Sequence, residues 1–198
     1  MVAEKLGFLH VDSGSLYRAA TAAILRREQD ASKWTEQSVL EAARPVELRA
    51  ARTSFYPVLE GKAIEDEIRG QAVTRHVSRV AQMPRVREWV NDKVREAAEL
   101  KDVVVDGRDM GTVVFPDADL KIFLVADSRE RALRRLRQRG TAALERVLDD
   151  ETMRIKERDE LDARQTVPAG DAVTIDTTGL AQTEQVEQIV SLSKQRAR

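Results

Sequence analysis

Apolar and polar positions alternate with a helical period through the first half of this 198-residue chain, then change texture. Leu16, Ala20, Ala23 and Ile24 share one face, which predicts a helix over 16–28. A short helix over 1–6 is expected to close at Gly7, a residue suited to the left-handed C-cap. Phe8-Leu9-His10-Val11 is an apolar run bounded by Gly7 and by Asp12-Ser13-Gly14, the sign of a buried strand or strand edge. Residues 46–51 and 55–59 can pair as a hairpin, with Glu60-Gly61-Lys62 as a turn beyond them. The amphipathic stretch 73–100 is broken at Pro84, so two helices should meet there.

From Val103 onward the runs lose their polar alternation. Val103-Val104-Val105, Lys121-Ile122-Phe123-Leu124-Val125 and Ala172-Val173-Thr174-Ile175 read as strands buried on both faces, as in a parallel sheet. Helices are expected between and after them over 128–138, with Ser128 as N-cap, roughly 142–163, and 182–194. Strands alternating with helices indicate an α/β layer architecture. The length suits one domain with a sizeable core, and there is no internal repeat or low-complexity linker.

Composition removes several classes of chemistry. There is no cysteine, which excludes disulfides, thiolate metal sites and cysteine nucleophiles. Thirty-three Lys and Arg nearly balance 34 Asp and Glu, so net charge gives no reason to expect nucleic acid or a membrane surface as partner. No apolar run reaches the ~20 residues of a membrane span. The N-terminus lacks a basic-then-apolar signal pattern, with Glu4 where the apolar part would build. A cytoplasmic monomer is expected. His10 and His76 have no carboxylate spacing that suggests a metal, and none is expected to be held by protein ligands.

Three segments could carry chemistry. Asp106-Gly107-Arg108-Asp109-Met110-Gly111-Thr112-Val113-Val114-Phe115-Pro116 comes directly after the 103–105 strand, at the carboxyl end where α/β sheets bind ligands. Its glycines permit close backbone approach, Arg108 offers a bidentate fork and Asp109 an acceptor. The plainer reading is a strand-to-loop turn with a solvated ion pair. Asp12-Ser13-Gly14-Ser15-Leu16-Tyr17-Arg18 opens a helix, where Ser13 or Ser15 could cap and the N–H groups could receive a phosphate. Capping alone would explain it equally. Arg154, Arg158, Asp159, Asp162 and Arg164 form a charged row that is either a solvated, salt-bridged helix face or a lid supplying cations to a transferring phosphoryl group. Arg69, Ser78, Arg85 and Arg87 pose the same question.

Taken together these segments resemble the bacterial cytidylate kinases, small P-loop kinases of the nucleoside monophosphate class. The matching stretches are DSGSLYR at 12–18, EIR at 67–69, MPRVRE at 83–88, DGRDMGTVVFPDA at 106–118, IKERDELD at 155–162 and DAVTIDTT at 171–178. They run in family order over nearly the whole chain, and the DGRDMGTVVFP string is the most specific.

The resemblance implies a P-loop kinase-like three-layer α/β fold with a central parallel sheet. It further implies a monophosphate-binding insertion at about 42–70 and a lid region at about 138–165, all within one kinase-like domain over 1–198. It implies ATP as donor, magnesium as cofactor and CMP or dCMP as acceptor. By motif position Ser13, Tyr17, Arg18, Arg69, Ser78, Arg87, Arg108, Asp109 and Asp162 would bind substrate. Arg135 or its neighbour Arg134, with Arg158 and Arg164, would serve the transferring phosphate. Asp109 and Arg108 would read the cytosine edge, since an acceptor facing the amino group rejects uracil's carbonyl.

Two departures from the family pattern stand out. No G-x-x-x-x-G-K-[ST] phosphate loop occurs, and the chain starts inside the first helix, downstream of the family's first strand. Without that central strand, marginal stability or completion by another segment is expected, as from a late start codon or a shortened chain. Position 165 is Gln where the family carries Arg, with Arg164 the nearest cation. The expectation is therefore a cytidylate kinase. The alternative is a non-catalytic CMP-binding or interaction protein derived from one. The DGRDMGTVVFP string disfavours a P-loop kinase with another acceptor.

Overall fold

Helix α1 (Val2–Leu6) ends at Gly7, whose φ of 74° lies in the left-handed region that favours glycine. The computed structural model describes residues 1–196, which fall into two units, Met1–Gly107 and a second from Arg108 onward. In the first unit β1 (Leu9–Asp12) leads directly into α2 (Ser13–Arg27). The N-cap of α2 is Asp12, not Ser13 or Ser15. Its carboxylate accepts from the Ser15 N–H at 3.2 Å, while the Ser15 hydroxyl donates to the Asp12 carbonyl at 2.6 Å. A charged acceptor at a helix N-terminus satisfies an orphan N–H and complements the helix dipole. Gly14 permits this: a Cβ there would lie 2.9 Å from the capping oxygen.

Next come α3 (Glu36–Ala43), then β2 (Val46–Ala50), β3 (Phe55–Leu59) and β4 (Lys62–Ala63). As expected, β2 and β3 form an antiparallel hairpin, with Val46 opposite Leu59 and Ala50 opposite Phe55. Helices α4 (Glu65–Ile68), α5 (Gln71–Ala81) and α6 (Pro84–Leu100) come next, and Pro84 opens α6 where its missing N–H costs nothing. Strand β5 (Val103–Asp106) closes the unit by pairing in parallel with β1. The core surrounds α2, which packs on α3, α5, α6 and β3. Leu16, Ala20 and Ile24 are buried with Val39, Val77, Val80 and Val90. The alanines of α2 (19, 20, 22 and 23) let these neighbours approach closely.

The second unit begins with a π-helical turn, Met110–Val114, then β6 (Ile122–Val125), α7 (Ser128–Gln138), α8 (Glu145–Asp162), β7 (Val173–Asp176) and α9 (Gln182–Arg196). Strands β6 and β7 are parallel, Ile122 beside Val173 and Val125 beside Asp176. Helices α7 and α8 pack around Ala132, Leu136, Leu148 and Ile155. The N-cap of α7 is Asp127 rather than Ser128, because its carboxylate takes both the Arg129 and the Glu130 N–H, at 2.9 and 3.1 Å. Ser128 is already the first helical residue, one position past the cap.

A further expectation fails. The apolar strands are not buried on both faces: Val103–Val105 are half-buried and Leu124 is 52% exposed. The parallel strands form two separate pairs, β1–β5 and β6–β7; β1 is bridged on its other side at His10–Ser54, and among the described residues no further ladder flanks β5, β6 or β7. Among the described residues no helix is long and apolar enough to cross a membrane.

Leu16 is fully buried and Met153 is 56% exposed. Leu16→Ala should cost about 2–5 kcal/mol, whereas Met153→Ala should stay within about 0.5 kcal/mol. Denaturant unfolding monitored by tryptophan fluorescence checks the first, because both tryptophans, Trp34 and Trp89, lie in the first unit. Far-UV circular dichroism checks the second.

Candidate active site

Parallel pairing of β1 and β5 sets Asp12 opposite Asp106, so two carboxylates leave the first unit's sheet at the same end. His10 sits one pleat back on β1 and its Nε2–H donates to Asp106 Oδ1 at 2.5 Å. That hydrogen bond raises the His10 pKa above its usual 6.5; burial opposes it, and the charges of Asp106 and Asp12 assist. Burial pushes Asp12 above the ordinary carboxylate value of 3.8, with Asp106 adding to the push and His10 resisting it. Ser13, at the first turn of α2, donates to the Asp106 carbonyl at 2.9 Å and so ties the helix start to the end of β5.

One turn on, Tyr17 is buried and the Arg87 guanidinium lies 5.8 Å from its ring centroid, a cation–π distance. Arg87 also donates to the Ala81 carbonyl at 3.1 Å, bracing the corner between α5 and α6. Arg18 donates to the Ile68 carbonyl at 3.1 Å and to Thr74 Oγ1 at 3.0 Å, which makes it a tie between α2 and the start of α5. Arg69 is exposed at the end of α4, and Ser78 is half-buried on α5. His76 packs edge-on against Trp34 at 5.4 Å, a structural contact.

In the second unit Asp109 is 7% exposed at the start of the π-helical turn. Its carbonyl accepts the N–H groups of Thr112, Val113 and Val114, which fixes the backbone at that point. The neighbouring Arg108 donates from Nε to Asp162 Oδ2 at 3.1 Å, and Arg158 Nε lies 3.6 Å from the same oxygen. Asp162 is itself buried, so it holds two cations where water screens little. Arg131 donates to both oxygens of Asp159, a bidentate pair. Arg135 lies 3.5 Å from Glu151, a buried carboxylate that also meets Arg139 at 3.2 Å and Arg154 at 3.7 Å. Burial lowers the Arg135 pKa; Glu151 counters this, and the charges of Arg158 and Arg131 reinforce it. Arg134, its sequence neighbour, is committed to the Thr177 carbonyl and to Glu130. Arg164 is exposed just beyond the end of α8.

Around α7 and α8 several guanidiniums are thus crowded onto shared buried carboxylates, an arrangement that an arriving polyanion would relieve. A sequence profile described as cytidylate kinase matches residues 1–195. The chain belongs to the cytidylate kinase family. Among its relatives is the cytidylate kinase of Alkaliphilus oremlandii, 39% identical over 98% of this chain and 89% of that protein. That of Caldanaerobacter subterraneus is 41% identical over 95% and 84%, and that of Klebsiella pneumoniae 39% over 100% and 87%. Parallel strands interleaved with helices agree with the family's P-loop kinase-like fold.

Reading the sequence for this family does not single out His10, Asp106, Glu151, Arg131 or Lys121. Glu151 three residues before Arg154 carries a faint signal, since that spacing lets a helix pair them. The His10–Asp106 pair joins residues 96 apart and carries none.

The raised His10 pKa makes its contribution to stability full below about pH 6.5, and it is lost as pH rises through the folded value. The raised Asp12 pKa acts in the same direction, beginning from lower pH. Urea midpoints between pH 6 and 8.5 should therefore fall less in His10→Gln than in the parent. Parallel curves would remove this role from the pair.

Proposed function

We propose that the protein transfers the γ-phosphoryl group of ATP to CMP or dCMP, giving ADP and CDP or dCDP. The observation that carries the acceptor choice is the buried Asp109, whose carbonyl anchors the start of the π-helical turn next to Arg108. A buried acceptor facing the cytosine amino group gains a hydrogen bond, whereas uracil would set its carbonyl against it. Arg108, positioned by Asp162, holds the base edge and its surroundings. Ser13 and Tyr17 on α2, Arg69 in an insertion over about 42–70, and Ser78 and Arg87 on α5 and α6 are assigned to the nucleoside monophosphate of the substrate. Arg18, committed to Ile68 and Thr74, supports that region as a brace.

Arg135 on α7, together with Arg158 and Arg164 in a lid over about 138–165, is assigned to the transferring phosphoryl group. Phosphoryl transfer spreads negative charge over three equatorial oxygens, so catalysis is mostly positioning and charge stabilisation. Guanidiniums crowded as Arg135 is by Arg131 and Arg158 gain most when such charge arrives. Glu151 and Asp162 keep them ordered beforehand, which spares reorganisation during the reaction.

Magnesium commonly reaches such a site through one or two carboxylates and the phosphates themselves. Among the described residues there is no group of three or more His, Asp or Glu side chains able to cage a metal. The sequence also holds no glycine-lysine phosphate loop, so the residues present do not form a cradle for ATP or its metal, and no step is assigned to them.

ADP formation measured with CMP, dCMP, UMP and AMP tests the reading. The same assay belongs on a form extended upstream through any encoded glycine loop. CMP- and dCMP-dependent turnover is expected in the extended form, and equal turnover with UMP or AMP would overturn the acceptor choice. CMP binding without turnover by either form would leave a binding protein. In Asp109→Asn the preference for CMP over UMP in Kd should fall about 10- to 100-fold, the worth of one hydrogen bond to a charged group.

A further inference from the structure

The π-helical turn that carries Asp109 is held from below by one side chain that the family motif does not include. Lys121 stands just before β6 in the second unit, and its side chain is only 8% exposed although it ends in an ammonium. A buried ammonium must spend its protons on acceptors. Here they go to the carbonyl of Pro116, the last residue of the loop, and, at 2.9 Å each, to both oxygens of Asp171. Asp171 lies two residues before β7 and is exposed, so it neutralises the charge without being buried with it. The methylene stem of Lys121 runs beneath Gly111: a Cβ on that residue would come within 3.2 Å of Lys121 Cδ and 3.4 Å of Cγ.

The loop itself is a closed ring of hydrogen bonds. Phe115 N–H donates to the Met110 carbonyl at 2.7 Å, and Val113 N–H to that of Asp109 at 2.9 Å. It is therefore stiff within itself, and its position depends on what grips its ends. At one end stands Arg108, held by Asp162; at the other stands Pro116, held by Lys121. Gly111 fits between because it has no side chain to lift the turn off the lysine stem.

We propose that Lys121 is a positioning residue for base recognition, clamping the 109–116 loop through Pro116 and Gly111 so that Asp109 meets the cytosine amino group. The inference rests on the assignment of Asp109 to cytosine. It extends that assignment to a residue that touches no substrate. The lysine acts through the loop's position, so its loss blurs discrimination between bases rather than removing a contact. Gly111 and Lys121 then form one unit, a gap and the stem that fills it.

The test is calorimetric titration of the 198-residue chain and its variants with CMP and with UMP, which needs no turnover. Lys121→Met keeps the stem and removes the ammonium. It should lower the ratio of the UMP Kd to the CMP Kd at least about fivefold, with amide exchange at Val113 and Phe115 accelerated. Gly111→Ala, which crowds the lysine stem while keeping the ammonium, should move the ratio in the same direction and serves if Lys121→Met does not fold. A lower melting temperature with an unchanged ratio in both variants would make the lysine merely structural and overturn the proposal. Asp109→Asn is the control. If it too leaves the ratio unchanged, the cytosine assignment itself has failed. If it alone lowers the ratio, only the clamp has.

Discussion

Parallel strand pairing is the constraint on which the chemistry of this protein depends. In a parallel pair both carboxyl ends leave the sheet together, and whatever the sequence places there is brought side by side. Both pairs in this chain obey it, and both have an aspartate at that end. Asp12 stands beside Asp106 in the first unit, and Val125 beside Asp176 in the second, two residues before the cap of α7 at Asp127. Each of these aspartates then fixes the backbone next to it. Asp12 caps α2, and the Asp106 carbonyl receives Ser13. The Asp176 side chain receives the Thr178 N–H at 2.9 Å. Strand ends are thereby made into rigid platforms rather than loose loops.

Charge burial supplies the second layer. Asp109, Glu151 and Asp162 are all buried, and an isolated buried carboxylate would be costly. The cost of Glu151 and Asp162 is met by arginines: Arg108 and Arg158 around Asp162, and Arg135, Arg139 and Arg154 around Glu151. Several of these guanidiniums remain partly exposed, so the pairs contribute modestly to stability. Their value is in order. Cations already held in place need little reorganisation when a phosphoryl group arrives, which is where electrostatic catalysis gains over water. The same logic explains why Lys121 is buried: its ammonium grips a loop whose own hydrogen bonds cannot fix where it sits.

The local elements of the fold are legible in the sequence because they have local causes. Helical spacing from Leu16 to Ile24 gives α2, Pro84 divides α5 from α6, and Gly7 stops α1 with a left-handed residue. The β2–β3 hairpin arises from two short apolar runs and a turn. The errors are also instructive. Capping fell to Asp12 and Asp127 because each helix begins at least one residue earlier than the serine reading assumes, which makes Ser13 and Ser128 the first helical residues. The apolar runs at 103–105 and 122–125 predict full burial, yet Leu124 is half-exposed, because a strand's burial depends on neighbours that its own sequence does not specify.

By itself, then, the sequence determined the helices, the hairpin, the α/β alternation and the family, all of which rest on periodicity or on contiguous motifs. The tertiary structure decided which charges meet. His10 pairs with Asp106 across 96 residues, Arg108 with Asp162 across 54, and Lys121 with Asp171 across 50. Helical spacing sets Glu151 on the face of Leu148 and Ile155 and Glu157 off it, but only the packing of α7 against α8 gives the buried Glu151 its arginine partners. Periodicity fixes which face of an element turns inward. Only the folded chain fixes what that face finds there, because the energy of a buried charge is set by partners that chain order leaves far apart.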